Sequence, residues 1–183
     1  GENIILVIDN HYIEICSIST YPLKRRTIYS EPQKITKLEI SDIFGIIAFC
    51  TNFGKIKILS LIDGTLFGEY DFMSTITNIL LTKEQCNLFV ECESTISILS
   101  IHCQIIKSFN ILRPILRWNC FTMCGIKEYI NFIDIENNYF IFESKNPENK
   151  QFLLTMNENV VYLDYVHHLE STIMIIFICI IYK

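Results

Sequence analysis

The chain has 183 residues, of which 50% are hydrophobic and 19% charged, so it can bury a sizeable core and is not a disordered tail. The formal net charge of −5 argues against nucleic-acid binding, which draws most of its affinity from phosphate neutralisation. The one basic cluster, Lys24-Arg25-Arg26, is too short to provide that affinity alone.

Short β-strands are predicted along the whole chain, because branched and aromatic side chains, which favour pleated strands, are abundant. The clearest group lies in residues 35–72. Its second strand is apolar throughout, as in a strand buried on both faces. Turns are predicted around Gly54 and at Asp63-Gly64, where glycine adopts positive φ readily. The four predicted strands are 35–40, 46–50, 55–61 and 66–72.

The segments on either side follow the same plan of short strands separated by turns. Two further complete units are predicted after residue 72, and partial units are predicted at both ends. In chain order the remaining strands are 4–8, 12–18 and 24–29; 76–81, 88–92, 96–101 and 105–109; 118–123, 129–133, 139–142 and 152–154; and 160–165, 173–177 and a stub at Ile180.

The C-terminal apolar run, 173–182, is too short for a membrane-spanning helix, which needs roughly 20 residues. Two adjacent buried strands explain it better. The chain shows no signal peptide, begins with glycine and has no capping element before its first strand. We therefore expect a fragment of a longer protein.

An internal repeat decides the predicted architecture. Similar segments begin at Ile35, Ile76, Ile115 and Val160, and they recur about every 40 residues, a period typical of WD-type propeller blades. A β-sandwich, the rival all-β fold, predicts no such period. We expect an all-β, partial β-propeller of WD40-like four-stranded blades, three whole and two partial, in a single domain over 1–183. The expected units are 1–30, 35–72, 76–110, 115–156 and 160–183.

Two stretches carry a resemblance to a known family. They are "ISDIFGIIAFCTNFGKIKILSLIDGTLFGEY", from Ile40, and "ILRWNCFTMCGIKEYINFIDIENNYFIFES", from Ile115. Together they resemble the WD-repeat propeller of BEACH-domain (beige/Chediak-Higashi) proteins, over roughly residues 35–170. The chain departs from regular WD repeats because no Trp-Asp dipeptide ends a third strand and no unit contains Gly-His. The resemblance implies a protein-interaction module in vesicle and lysosome-related membrane trafficking.

The cysteines are interpreted as buried, reduced thiols in a cytoplasmic protein, because they lie within apolar runs without a compact spacing. Disulfides are the alternative that their even number leaves open. A zinc site is disfavoured, since no C-x-x-C motif occurs and zinc needs about four ligands. The eight cysteines are Cys16, Cys50, Cys86, Cys92, Cys103, Cys120, Cys124 and Cys179.

Other candidates for chemistry have simpler interpretations. His167 and His168 are adjacent on a predicted strand and therefore point to opposite faces. Glu91 and Glu93 share a strand face, which we interpret as solvated rather than as an acid/base pair. Trp118 is interpreted as a core residue. No glycine-rich phosphate loop and no G-x-S-x-G motif occurs in the sequence.

We therefore expect a non-enzymatic scaffold with no catalytic, cofactor-binding or metal-binding residues. Protein partners are expected to bind the loops or a face of the propeller, without nucleic acid and without a transmembrane segment. The expected location is the cytoplasm, peripheral to endomembranes through the parent protein. The alternatives are an enzymatic propeller of the hydrolase or quinoprotein type, with titratable residues converging at the channel mouth, and an inert truncated fragment.

Overall fold

The computed structural model of the chain describes residues 3–17, 21–123, 127–155, 160–169 and 172–179. These residues form antiparallel strands and one short 3-10 helix, Pro147–Asn149. The strands in chain order are β1 (Asn3–Ile8), β2 (Tyr12–Ser17), β3 (Lys24–Ser30), β4 (Ile35–Ser41), β5 (Ile46–Thr51), β6 (Lys55–Ser60), β7 (Leu66–Asp71), β8 (Ile76–Leu81), β9 (Leu88–Cys92), β10 (Thr95–Leu99), β11 (Ile105–Asn110), β12 (Ile115–Met123), β13 (Lys127–Asp134), β14 (Asn138–Glu143), β15 (Gln151–Thr155), β16 (Val160–Leu169) and β17 (Thr172–Cys179).

The strands form five separate sheets, which we number 1 to 5 in chain order. Sheet 1 contains β1–β3, sheets 2, 3 and 4 contain β4–β7, β8–β11 and β12–β15, and sheet 5 contains β16–β17. The three four-stranded sheets confirm the predicted complete units, and five separate sheets are not the two stacked sheets of a β-sandwich. The predicted strand residues Ile18 and Ile180 lie outside the described residues.

The first strand of each of sheets 2 to 5 carries a register shift at the same place. In every case the opening residue faces the last residue of the next strand, and the pairing slips by one residue immediately afterwards, which is the signature of a β-bulge. The shifted pairs are Ile35↔Thr51 then Lys37↔Cys50, Ile76↔Cys92 then Asn78↔Glu91, Ile115↔Asp134 then Arg117↔Ile133, and Val160↔Cys179 then Tyr162↔Ile178.

Burial falls from the middle strands to the outer strand in sheets 2 and 3. All residues of β5 and β9 are buried, as expected for strands that are covered on both faces. The outer strands β7 and β11 alternate between exposed and half-buried residues, and Glu69 on β7 lies on the exposed side as predicted. Sheets 2 and 3 therefore cover both faces of their second strands and expose their last strands.

Three apolar clusters fill the spaces between consecutive sheets. The first joins Ile13 of sheet 1 to Ile47, Phe49 and Leu59 of sheet 2. The second lies between sheets 2 and 3, and the third between sheets 3 and 4. Each sheet thus buries its faces against its neighbours rather than forming a core of its own, which is the property that makes repeat units interdependent.

The first strands of sheets 2 to 5 lie beside one another in the order β4, β8, β12 and β16. Lys37 Nζ lies 3.4 Å from Asn78 Oδ1, and Trp118 Nε1 donates to the carbonyl of Ile79 at 3.2 Å. Both contacts cross from one sheet to the next. We call these first strands the inner strands. Sheets 2 to 5 are therefore arranged around a common line that their inner strands form.

Candidate functional site

A groove of about 880 Å³ opens between sheets 1 and 2 at one end of the molecule. We refer to it as the sheet 1–2 groove. One wall comes from β1, β2 and β3, and the other comes from the turns that follow β4 and β6. Its lining residues are Ile5, Ile15, Ser17, Lys24, Arg25, Arg26, Asp42, Gly45, Leu61 and Ile62.

The floor of the groove is apolar because of strand register. Ile5 of β1 faces Ile15 of β2, and Ile15 faces Arg26 of β3, so these side chains form one row across sheet 1. Leu61 approaches from sheet 2 and packs against the buried cluster that contains Ile13. The floor is thus continuous with the core between the two sheets.

The rim of the groove is basic. Lys24, Arg25 and Arg26 are exposed, and an Nη of Arg26 donates to the main-chain carbonyl of Ile62. Within the part of the chain that the structure describes, neither Lys24 nor Arg25 forms an ion pair. Among the lining residues that the structure describes, Asp42 is the only acidic one. An anionic group entering the groove therefore meets more positive than negative charge.

Two glycine turns of sheet 2 shape the opposite wall. Gly45 has φ +62°, and a Cβ there would meet no atom within 4 Å, so this side of the groove is open. The amide of Leu61 donates to the carbonyl of Gly45 at 2.8 Å, which holds the two turns together. Gly64, with φ +75°, lies so close to the carbonyl of Ile28 that a Cβ would come within 2.0 Å of it. The turn after β6 is thereby pressed against β3 beside the groove.

Large apolar side chains are exposed on the turns that surround the groove. We call this set the apolar rim. The turns leading into β3, β5 and β7 contribute to it, and they lie at the same end of their sheets. Its members, with their exposed fractions, are Tyr21 (101%), Leu23 (52%), Ile43 (77%), Phe44 (41%) and Ile62 (76%). Clustered exposure of this kind marks interaction surfaces more often than scattered apolar residues do.

A second, smaller cavity of about 320 Å³ lies between the inner strands and includes Lys37, Glu39, Asn78, Arg117 and Trp118. Burial raises the pKa of Glu39 to about 7, although a hydrogen bond from the Leu81 backbone opposes the shift. Glu39 is the only acidic residue among the described residues that line this cavity. A paired-carboxylate mechanism would need a second acid there.

The interpretation of Glu91 as solvated is wrong. Glu91 is fully buried on β9, where its carboxylate accepts from the Ile115 amide at 2.7 Å and from Asn78 Nδ2 at 2.5 Å. The second strand of a unit is covered on both faces, so a buried carboxylate there needs hydrogen-bond donors. The first strands of the same sheet and of the next sheet provide them. Glu93 instead lies in the following turn and is exposed, accepting from Ser74 Oγ at 2.7 Å.

The six cysteines whose side chains the structure describes are buried and form no disulfide, as predicted for them. Burial, together with the neighbouring Glu128 carboxylate, raises the pKa of the Cys120 thiol to about 12, so it remains protonated at neutral pH. Cys124, the other member of the closest cysteine pair, lies outside the described residues. These six cysteines are Cys16, Cys50, Cys86, Cys92, Cys103 and Cys120.

The remaining candidates occupy separate places. Trp118 is half-buried and packs against the cluster between sheets 3 and 4. His167 and His168 are consecutive residues on β16 and face Met174 and Ile173 of β17. Where the structure describes side chains, no group of three or more His, Cys, Asp or Glu residues could hold a metal ion, and no helix has the length and apolarity of a membrane span.

No family model and no curated protein sequence matches the chain. Solved structures do match. A structure of BBS1N in complex with ARL6DN superposes with a TM-score of 0.75 at 10% identity, covering 97% of this chain and 58% of that one. The WD40 domain of SCAP from fission yeast gives 0.65 at 12% identity over 87% and 42%. The β-propeller domain of Myceliophteria thermophila Cps50 (Swd1) gives 0.58 at 14% identity over 83% and 55%.

The chain therefore spans 58% of the length of the BBS1N chain, 42% of the SCAP chain and 55% of the Cps50 chain. The superposition on these structures and the arrangement of the chain's own inner strands indicate the same fold. The sheets described above are blades of a WD40-like β-propeller.

Proposed function

We propose that the chain is a non-catalytic scaffold that binds other proteins through the end of the propeller carrying the apolar rim. The observation that carries this proposal is the clustering of exposed Tyr21, Ile43 and Ile62 around a groove of about 880 Å³. Exposed apolar side chains that border a recess lose contact with water when a partner covers them, so association is favoured.

The structural neighbours provide a precedent for a scaffold function. BBS1N, the neighbour with a TM-score of 0.75, was solved in complex with ARL6DN, so a propeller of similar fold binds a second macromolecule. For this chain we propose a protein partner of its own. The fold alone does not identify it, because propellers host many unrelated functions.

A finer proposal concerns the parent protein. We propose one propeller domain over residues 1–183, belonging to a BEACH-type protein that acts in the cytoplasm at the surface of endomembranes. The resemblance over roughly residues 35–170 supports this assignment. Sequencing the gene upstream of Gly1 tests it directly: an encoded BEACH domain supports the proposal, and a different domain contradicts it.

An enzymatic propeller is the second candidate, and the pKa of Glu39 favours it, since a carboxyl group that titrates near neutrality suits general acid/base catalysis. Glu39→Gln separates the two functions. A hydrolase activity of the purified chain that is abolished by Glu39→Gln would establish catalysis. If the unaltered chain shows no turnover and Glu39→Gln retains partner binding, the scaffold function is supported.

The apolar rim itself is tested with Ile43→Ser/Ile62→Ser. Its matched control is Ile105→Ser/Ile106→Ser, which changes two exposed isoleucines on β11 of sheet 3. Partners captured by the unaltered chain are purified, and their dissociation constants are measured by direct titration. We expect the rim variant to weaken binding at least about tenfold and the control to leave it unchanged. Equal binding by both variants would contradict the proposed surface.

A further inference from the structure

We propose that the sheet 1–2 groove binds an extended segment of a partner protein in which acidic residues alternate with apolar ones. This inference rests on the proposed scaffold function and specifies its ligand. It is carried by two features that share one recess: a basic rim and an apolar floor.

The charge of the groove is opposite to that of the chain as a whole. The formal net charge is −5, yet the described lining residues include Lys24, Arg25 and Arg26 against one carboxylate, that of Asp42. An acidic segment is repelled by most of the molecular surface and attracted here, so the charge distribution favours this site over others.

The three cations have different roles. Arg26 is engaged with the carbonyl of Ile62 and braces the turn after β6 against sheet 1. Lys24 is exposed, forms no ion pair with described residues and lies on the same face of β3 as Arg26. Arg25 also forms no ion pair with described residues, but it pairs with Cys16 and lies on the opposite face of the strand. The ammonium group of Lys24 can form charged hydrogen bonds with a carboxylate, so Lys24 is suited to bind an acidic side chain, and Arg25 adds positive charge beside it.

The apolar floor of the groove supplies the second part of peptide recognition, beside the basic rim. Ile5 and Leu61 pack against the buried core between the two sheets, and Ile15 pairs with Ile5 in the same row across sheet 1. An extended peptide directs successive side chains to opposite sides. Alternate apolar side chains can therefore reach the floor while the intervening carboxylates remain at the rim.

The recessed floor favours a peptide over an anionic membrane as the ligand. A volume of about 880 Å³ is in the range of concave binding sites that enclose their ligand. A bilayer surface would meet the cations but would not fill the space beside Gly45, where a Cβ has no neighbour within 4 Å.

The probes are fluorescein-labelled peptides of about nine residues that span the groove in extended form. The first alternates Glu with Leu, the second replaces every Glu by Lys, and the third replaces every Leu by Ser. Fluorescence anisotropy with the full chain measures their affinities. We expect only the Glu–Leu peptide to bind tightly, with an affinity that falls as NaCl rises from about 50 to about 300 mM. Equal binding of the Lys–Leu or Glu–Ser peptide would overturn the inference.

Two kinds of variant locate the site. Lys24→Glu/Arg25→Glu should weaken the Glu–Leu peptide at least about tenfold, since charged hydrogen bonds are lost and repulsion is gained. Lys34→Glu/Lys145→Glu makes the same change of charge at exposed lysines outside the groove and should have less than about a twofold effect. Gly45→Asn blocks the recess sterically at a positive φ that asparagine tolerates, and it should abolish binding without changing the charge. Circular dichroism and thermal melting establish that each variant is folded.

The outcomes separate this inference from the scaffold proposal. If Ile43→Ser/Ile62→Ser loses the partner while the folded Lys24→Glu/Arg25→Glu and Gly45→Asn variants retain both the partner and the peptide, the scaffold stands and the groove ligand is wrong. If the chain instead binds phosphatidylserine vesicles and not the Glu–Leu peptide, the site is a membrane site and the inference fails.

Discussion

Buried carboxylates link neighbouring blades at the level of single residues. Glu31, only 2% exposed, accepts from Lys57 Nζ of the next sheet at 2.7 Å. Although partial desolvation works against it, hydrogen bonds to Glu31 and Tyr29 raise the pKa of Lys57 above its usual value. Glu128 accepts from the Lys83 and Glu84 amides of the preceding sheet. Each carboxylate therefore fixes a contact between two sheets that apolar packing alone would leave free to slide.

Glu91 provides the sharpest test of these links. Glu91→Ala leaves the Ile115 amide and the Asn78 side chain without their acceptor, so we expect a loss of about 2 to 4 kcal/mol in the free energy of unfolding. Glu91→Gln keeps one carbonyl oxygen and should lose less. The measurement is urea denaturation, with the exposed Glu93→Ala as the control, expected within about 0.5 kcal/mol. If the two alanine variants were equally stable, Glu91 would not be the link that we describe.

Glu39 predicts a dependence of stability on pH. Burial raises its pKa from 4.5 to about 7, so the folded state holds a proton that the unfolded state has released between these values. Stability should therefore fall as pH rises from about 4.5 to about 7. Glu39→Gln removes this penalty, and we expect it to be more stable than the unaltered chain at about pH 8 by on the order of 1 to 3 kcal/mol.

The comparison is made by thermal melting of both chains across this pH range. At about pH 4.5 their melting temperatures should coincide, because the carboxyl group and the amide are then both neutral. A constant difference at every pH would show that Glu39 does not titrate as described.

At the level of elements, turns decide how closely one sheet approaches the next. The turn at Gly64 touches the backbone of Ile28, where a Cβ would come within 2.0 Å, and Gly68 on β7 touches the backbone of His102 in the next sheet, where a Cβ would come within 2.5 Å. His102 Nδ1 is 3.2 Å from the carbonyl of Phe67. The outer strand of one blade thus contacts the turn that precedes the outer strand of the following blade. This contact occurs between sheets 1 and 2 and again between sheets 2 and 3.

Gly64→Ala tests this approach. The new Cβ would lie 2.0 Å from the Ile28 carbonyl oxygen at φ +75°, so the turn must move, and we expect a loss of more than about 2 kcal/mol. Gly45→Ala is the matched control, because its φ of +62° costs about 1 kcal/mol without any clash. Equal losses, measured by urea denaturation, would mean that sheets 1 and 2 do not meet at Gly64.

The sequence predicts glycine turns better than it predicts turns made by other residues. Gly54 and Gly64 adopt the positive φ values expected of them. Cys86, Glu93 and Cys103 also have positive φ, which residue type alone does not indicate. They lie in tight turns between strands: the amide of Cys103, for example, donates to the carbonyl of Ser100, three residues before it, at 2.9 Å. For the same reason sequence could not distinguish Glu91, which is buried, from Glu93, which is exposed.

At the level of the whole molecule, the period of the chain predicts the blades but not the groove. Ile35, Ile76 and Ile115 open similar segments, are all buried, and precede the same bulge, since each blade meets its neighbours in the same way. The groove instead joins residues from distant parts of two sheets, such as Ile5 and Ile62. Of the groove, only the basic cluster at Lys24 is visible in the sequence; the apolar floor on which the proposed ligand depends is not.

The central claim is that inner strands of consecutive blades lie side by side around a common line, and the single tryptophan can test it. Trp118 of sheet 4 donates its indole N–H to the carbonyl of Ile79 in sheet 3 at 3.2 Å. In a ¹⁵N-labelled sample the one indole signal should exchange slowly with solvent and show nuclear Overhauser effects to the backbone protons of Ile79 and Leu80. Rapid exchange without these effects, or effects to residues of a different strand, would contradict the arrangement of the blades.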